Sequence, residues 1–349
     1  MFKQQSLNEY LTKWSDNKAD RVDVAKTLES IASASIKLAD LISVNSLQDT
    51  SPLPTSTNSD GDTQKPLDII AHQLFEDELQ NTAVGLLASE ESEEVILLNE
   101  QGSLGVAIDP LDGSSNIDTN LTVGTIFSIF PFSSEGAALT TDQFIGKTGD
   151  QQIASGITVF GPQTTLVLTC LNGTHIFALD RDSSTFYLTN ENIQIAPEHR
   201  EFAINASNYH HWDDAIRGYV DDCLAGESGP REGNFNMRWA ASLVAEAYRI
   251  FNRGGIFLYP RDSRPNYENG RLRLLYEAFP MALLVEQAGG AATDGEQRIL
   301  DKKVAEIHER APLIFGSKDK VDRVARYYEN STTTNQSHPL FTSRSLLRN

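Results

Sequence analysis

The side chains in this chain best equipped for chemistry are acids placed at the ends of apolar runs. The stretch "AIDPLDGSSNID", residues 107–118, closes such a run with Asp109 and Asp112 and continues into Gly113-Ser114-Ser115-Asn116. On a straight strand, residues three apart point to opposite faces. Pro110 fixes one φ and Gly113 permits a sharp turn, so the two together can swing both carboxylates to one side. The carboxyl end of a buried strand is where α/β folds commonly bind ligands. Two carboxylates that close repel each other unless a cation lies between them. Hard divalent ions such as Mg²⁺ take oxygen ligands, backbone carbonyls included. Glycine followed by small hydroxyl residues can expose successive backbone N–H groups that cradle a phosphate. Read alone, Asp112-Gly113 is also an ordinary turn signal.

Other acids occupy comparable positions. Asp62 and Asp68 lie just before and at the start of a helix-like segment, Glu90 and Glu91 end the run "VGLLASEE", and Glu277 lies in "LLYEAFP". Acids at several element ends are what a multi-metal site needs, although each taken singly fits a solvated acid or a helix cap. Glu93 and Glu94 are assigned to solvent. In "GRLRLLYE", Arg271 and Arg273 are two apart, which puts both on one face of an extended segment. That spacing suits bidentate phosphate recognition, and equally a charged edge strand that deters aggregation. Arg238 opens the helix-like "NMRWAAS", Tyr259 ends the strand-like "GGIFLY", and Asn205 and Tyr209 lie in the loop-like "INASNY". His210 and His211 are adjacent and diverge, so they are read as surface residues. Ser114 and Ser115 lie in no G-x-S-x-G elbow, and neither a P-loop nor G-x-G-x-x-G occurs.

The elements that must position these residues follow from apolar periodicity. Residues 20–43 and about 66–81 read as helices, with a Ser/Thr/Pro/Asn/Asp-rich loop at 46–61 between them. "VGLLASEE", "LGVAID", "GTIFSIFPF", "TTLVLTCL", "HIFAL" and "TFYLT" read as strands. Helix-like segments return in "WDDAIRGYVDDCLAG", "WAASLVAEAYRIFNR" and "LLYEAFPMALLVEQAGG", with strand-like "GGIFLYP" among them. The mixture predicts two α/β or α+β domains with a boundary near 193, no internal repeat, and a loosely ordered tail from about 331.

Bulk properties narrow the function. The 349 residues suffice for about two domains, and the composition, 40% hydrophobic and 22% charged, is that of a globular protein. A net charge of −19 argues against nucleic acid or an anionic membrane as the main partner. A local cluster of cations or bound metal still accommodates an anionic substrate. No stretch approaches a membrane span and no secretory signal is evident. Two distant cysteines, Cys170 and Cys223, fit a reducing cytoplasm.

Taken together, "AIDPLDGSSNID", "GDTQKPLDII", "LLASEE", "GGIFLYP" and "GRLRLLYEAFPMALLVEQAGG" resemble class I fructose-1,6-bisphosphatase, in the family's order and over about residues 20–330. The resemblance implies a layered α/β/α/β/α sugar-phosphatase fold. An N-terminal domain, 1–193, would carry most metal ligands, a C-terminal domain, 194–333, the sugar and 6-phosphate site, and 334–349 would be a flexible tail. It implies hydrolysis of the 1-phosphate of fructose 1,6-bisphosphate, a step of gluconeogenesis or the Calvin cycle, with two or three Mg²⁺ per subunit (Mn²⁺ or Zn²⁺ as substitutes), in a cytoplasmic homotetramer. The implied metal ligands are Glu90, Asp109, the Leu111 carbonyl, Asp112 and Glu277, with Asp62 or Asp68 nearby. Asp68, Glu91 and Asp62 would serve the attacking water. Asp112, Gly113, Ser114 and Ser115 would hold the 1-phosphate end of the substrate. Asn205, Tyr209, Tyr259, Arg271 and Arg273 would hold the sugar and 6-phosphate, and Arg238 would reach a neighbouring subunit's substrate.

Three positions depart from the family pattern: Arg271 stands for lysine, Trp239 for tyrosine, and Ser103-Leu104 for the Lys-Tyr of AMP-inhibited members. AMP inhibition through that site is therefore not expected, and no cysteine-bearing regulatory insertion occurs. An inositol monophosphatase-like enzyme would share the acids but have little use for a second phosphate clamp. A dual fructose-1,6-/sedoheptulose-1,7-bisphosphatase differs by one substrate carbon. A catalytically inactive sugar-phosphate sensor predicts loss of a metal carboxylate, and every matched one is present.

Overall fold

The apolar runs become strands buried on both faces, and the helices supply the layers that bury them. A computed structural model describes residues 4–44, 65–132 and 139–334. Asp62, the loop at 46–61 and the tail beyond 334 lie outside the described residues. The chain begins with α1 (Leu7–Ser15), α2 (Ala19–Val44) and α3 (Pro66–Leu79). Ser6 and Glu9 form a reciprocal capping box at the start of α1. Eight strands follow: β1 (Val84–Ser89), β2 (Ile96–Leu97), β3 (Leu104–Asp112), β4 (Val123–Pro131), β5 (Ala154–Phe160), β6 (Thr164–Thr169), β7 (Thr174–Asp180) and β8 (Thr185–Asn190). They form one sheet in the order β2-β1-β3-β4-β5-β6-β7-β8, antiparallel except for the parallel pair β1 and β3.

The second half supplies β9 (Glu201–Ala203), α4 (Asp214–Leu224), β10 (Asn236–Met237), α5 (Leu243–Arg253), β11 (Ile256–Tyr259), β12 (Leu272–Arg273), α6 (Phe279–Gln287), β13 (Ala291–Thr293), β14 (Arg310–Ala311), β15 (Leu313–Gly316) and α7 (Lys318–Thr334). Five of these strands form a sheet in the order β10-β9-β11-β15-β13, and β12 pairs with β14.

Alternation along the strands sorts side chains into layers. Val106, Ile108, Phe127 and Ile129 point to one face, where they pack with Leu28, Leu38 and Phe75 of α2 and α3. Ala107, Ile126 and Phe130 point to the other, against Val244 and Ile250 of α5 and Phe279 and Leu284 of α6. Phe257 and Phe315 of the five-stranded sheet close that middle layer. Beyond it, Phe202, Ile256 and Ile314 meet Tyr219 and Val220 of α4 and Val324 of α7. The order is α/β/α/β/α, and apolar runs read as nearly continuous because both sheets are covered on both faces.

Several expected boundaries move. The helix expected to 81 ends at Leu79. The helix expected from Trp239 starts at Leu243, because Ser242 caps it by accepting the Ala245 N–H and Ala241 takes a left-handed φ of 53°. Arg238 therefore directly follows β10 and opens no helix. "LLYEAFPMALLVEQAGG" divides into a π-helical turn, Leu274–Ala278, and α6. The stretch from 331, expected to be loose, begins as the last turn of α7. Among the described residues no helix is long and apolar enough to cross a membrane. Cys170 and Cys223 are buried free thiols.

Candidate active site

Asp109 and Asp112 reach one side of the sheet through a β-bulge. Both lie within β3, where Asp109 faces Ile126 of β4 and Asp112 faces Gly124. Three steps on β3 oppose two on β4, and the extra residue reverses the parity that would have sent the two carboxylates to opposite faces. The reorientation is thus complete before Gly113, which was expected to provide it. The Thr125 hydroxyl donates to the Pro110 carbonyl at 2.9 Å and fixes the bulge. Gly124 is required for a further reason: a Cβ there would lie 2.6 Å from Val244 Cγ2. Its absence lets the first turn of α5 approach, and the Val244 N–H donates to Asp112 Oδ2 at 3.1 Å.

Asp109, Asp112 and Glu277 each present a carboxylate oxygen within 4.8 Å of the others, and all three are buried. Glu277 comes from the π-helical turn and accepts the Arg273 N–H, while Asp109 accepts the Leu111 N–H at 3.0 Å. Backbone donors therefore fix all three acids before anything binds. Burial, and then the charge of Glu91, push Glu90 up to about 7. Burial pushes Asp112 up to about 6. Burial, and then the charge of Glu90, hold Asp109 and Glu277 well above the usual carboxylate range. So many acids in one place repel as anions, and an oxygen-only donor set of this kind suits a hard divalent cation.

Asp68 faces the cluster from the first turn of α3. One oxygen accepts the Lys65 N–H at 2.8 Å. The other, Oδ1, is buried without a hydrogen-bond partner among the described residues. Burial raises the Asp68 pKa. That orphaned oxygen, with the cluster beside it, is the arrangement expected where a cation or an ordered water completes the site.

The cleft above these acids encloses about 520 Å³. Asp68, Glu90, Glu91, Asp109, Leu111, Asp112 and Glu277 line it together with the turn Gly113-Ser114-Ser115 and with Asn205, Tyr259 and Arg271. Gly113 has φ 74° and opens a 3₁₀ turn, Ser114–Thr119. Asn116 of that turn donates to the Ala241 carbonyl at 2.9 Å, which fastens the two halves of the chain together. Glu93 and Glu94 face solvent.

Two residues expected around the substrate do not line this cleft. Arg273 is 3% exposed and is not in the cleft lining. Its guanidinium donates to the His308 carbonyl at 2.7 Å, and its charge acts on Glu90 and Glu277 from behind. Arg271 lines the cleft and Arg273 does not, so the two do not act there as one pair. Tyr209 is drawn away from the cleft, its hydroxyl donating to Asp221 of α4 at 2.9 Å. Arg238, expected to serve a neighbouring subunit's substrate rather than this cleft, is exposed and lies 3.5 Å from Glu201.

Lys65 and Trp239 line the cleft as well, and neither stood out as a site residue from its type or spacing. The Lys65 ammonium donates to the Ser114 carbonyl at 3.1 Å and to Asp118 at 2.6 Å. The legible signal was Asp68, three residues on and just past Pro66, at the position where an acid reaches back to cap. Trp239 stacks on Phe257 with ring centroids 6.0 Å apart and 8° between planes, extending the Tyr259 side of the cleft.

Known proteins share this sequence and architecture. The family profile "Fructose-1-6-bisphosphatase, N-terminal domain" matches residues 7–191, and the corresponding C-terminal domain matches 195–329. A "Fructose-1,6-bisphosphatase class 1 1" of Xanthobacter autotrophicus is 50% identical over 96% of this chain and 90% of its own length. A class 1 enzyme of Methylorubrum populi is 47% identical over 98% of both chains. The crystal structure of Leishmania major fructose-1,6-bisphosphatase in holo form superposes with a TM-score of 0.87 at 31% identity, covering 94% of this chain and 99% of that one.

Proposed function

The chain belongs to the fructose-1,6-bisphosphatase family, and from that premise we propose that it hydrolyses the 1-phosphate of D-fructose 1,6-bisphosphate to fructose 6-phosphate and phosphate. One observation carries the reading: a buried all-oxygen carboxylate cluster shares its cleft with a Gly-Ser-Ser turn and with Arg271 and Tyr259.

In this reading Glu90, Asp109, the Leu111 carbonyl, Asp112 and Glu277 hold two or three Mg²⁺ per subunit, replaceable by Mn²⁺ or Zn²⁺. Bound there, the cations supply charge neutralisation at the phosphoryl group and a more acidic water. Gly113, Ser114 and Ser115 hold the 1-phosphate with backbone N–H groups and hydroxyls, and Lys65 braces that turn through the Ser114 carbonyl. Asp68, through Oδ1, and Glu91 take the proton of the attacking water, and the raised pKa of Asp68 improves it as a base. Arg271, Tyr259 and Asn205 orient the sugar and its 6-phosphate. Arg273 favours the ionised forms of Glu90 and Glu277, opposing in part the burial and mutual repulsion that push both carboxylates up.

We further assign most metal ligands to residues 1–193 and the sugar and 6-phosphate site to 194–333, a division supported by the change of sheet between Asn190 and Glu201. A homotetramer accommodates Arg238, whose side chain is exposed beside Glu201 and would leave that ion pair to meet a neighbouring subunit's substrate. Two buried free thiols support a cytoplasmic location.

The test is phosphate release by the purified protein, with and without Mg²⁺, from fructose 1,6-bisphosphate, sedoheptulose 1,7-bisphosphate and inositol 1-phosphate. Mg²⁺-dependent release from the fructose bisphosphate is expected, and the seven-carbon substrate measures breadth. Release from inositol 1-phosphate alone, or from none, overturns the reading.

A further inference from the structure

The chain carries a net charge of −19, yet a group of cations gathers on the outer side of the five-stranded sheet, around Phe235. Lys320, in the first turn of α7, is 6% exposed, and its ammonium lies 5.0 Å from the Phe235 ring centroid. The Arg231 guanidinium lies 4.6 Å from the same ring and 5.2 Å from that of Tyr219. Arg200 packs on the backbone of Gly233, where an added Cβ would lie 2.3 Å from its guanidinium carbon. Arg323 follows Lys320 by three residues and so shares its face of α7.

Among the described residues none of these four cations forms an ion pair with a carboxylate. Asp222, the acid on the α4 side of the group, accepts the Tyr327 hydroxyl instead. Burial, and then the charge of Arg231, push the Lys320 pKa down to about 8, with Arg323 and Arg200 acting in the same direction. One aromatic ring shared between two cations offsets little of that repulsion. The chain thus holds a buried ammonium beside three guanidinium groups, none of them in an ion pair among the described residues, with Arg231 Nη1 donating to Cys223 Sγ at 3.4 Å.

We propose that Arg200, Arg231 and Lys320, with Arg323 at the rim, form an anion-binding site separate from the cleft, for a compact dianionic oxyanion such as a phosphate group. Lys320 supplies a compact point charge and Arg231 and Arg200 planar donor edges, the combination that recognises phosphate. The site adjoins the cleft in sequence: Phe235 leads directly into β10, and Arg238 and Trp239 follow that strand. An anion held there bears on the strand that leads to Trp239 in the cleft lining. The inference is independent of the reaction assigned to the cleft.

The test is isothermal titration of the full-length protein in EDTA with inorganic phosphate and with sulfate, at an ionic strength fixed by chloride. Glycerol 3-phosphate is run beside them to separate a free ion from a phosphate ester. The wild type is expected to bind saturably, with roughly tenfold weaker binding in Lys320→Met and in Arg231→Gln. Lys320→Arg, which keeps the charge, should retain binding. Any anion affinity of the cleft is common to all four proteins and drops out of the comparison. Isotherms identical in wild type, Lys320→Met and Arg231→Gln, or no saturable binding by the wild type, overturn the proposal. If Lys320→Met does not fold, the partly exposed Arg231 carries the comparison through Arg231→Gln.

Discussion

The backbone N–H of Val244 donates to Asp112 Oδ2 at 3.1 Å, joining residues 132 apart in the chain. Asp112 is thereby an acid of the carboxylate cluster and, at the same time, the anion held at the first turn of α5. The helix end favours its negative charge. Asp112→Asn preserves shape and an acceptor oxygen for Val244 while removing that charge. Phosphate release should fall by two to four orders of magnitude, ~10²–10⁴-fold, with the circular dichroism spectrum unchanged. Turnover near the wild-type rate would remove Asp112 from the chemistry.

Arg271 and Arg273 separate two roles that their spacing suggested were one. Arg271 lines the cleft, so Arg271→Ala should raise KM for the bisphosphate by roughly 10–100-fold, the worth of one charge-assisted hydrogen bond, with little effect on a monophosphate substrate. Arg273 is buried beside Glu90 and Glu277, so Arg273→Met should lower kcat on both substrates and cost on the order of 3 kcal/mol of stability. Steady-state kinetics on the two substrates, with urea unfolding of each variant, measure the difference. The same pattern for both variants would contradict the separation.

The carboxylate cluster predicts a stability effect that does not depend on turnover. A cation bound by Asp109, Asp112 and Glu277 binds the folded chain only, and at a hundredfold excess over its Kd it stabilises by about 2.7 kcal/mol. Thermal unfolding should shift upward with Mg²⁺ and return on addition of EDTA. In Glu277→Gln the upward shift should shrink by at least half. An equal shift in both proteins would place the cation elsewhere.

The layered fold was legible because strands buried on two faces leave long apolar runs, and α2 and α3 leave helical ones. The acids were legible too, since Glu90, Asp109, Asp112 and Glu277 each sit at or near the end of an apolar run. What brings Asp109 and Asp112 together was not. A bulge depends on how β4 pairs with β3, and no local pattern in 107–118 records that Gly124 will oppose Asp112. Tyr209, expected at the substrate, instead donates its hydroxyl to Asp221, twelve residues on and across a helix boundary. Arg273 is buried away from the cleft lining because its guanidinium is held by the His308 carbonyl, a partner that no local pattern records. Tertiary partners, rather than propensity, decided each of these.

Ala241 offers a test of how the two halves are joined. Its φ of 53° is left-handed, a conformation that costs an L-residue roughly 1–2 kcal/mol relative to glycine. The strain is held in place by Asn116, which donates to the Ala241 carbonyl, and by Glu246, whose carboxylate accepts the Ala240 N–H. Glu246 is itself buried and paired with Arg249 at 2.8 Å, so the segment cannot relax cheaply. Glycine removes the Cβ conflict but frees the unfolded chain, so Ala241→Gly should stabilise by a net ~0.5–1 kcal/mol in urea unfolding. Asn116→Ala should do the opposite, losing about 1 kcal/mol and leaving the Ala241 carbonyl without that donor. In the double variant the two effects should fall short of additivity, because the hydrogen bond and the strained residue act on the same peptide. Strict additivity would mean that Asn116 is not what holds Ala241 in its left-handed conformation.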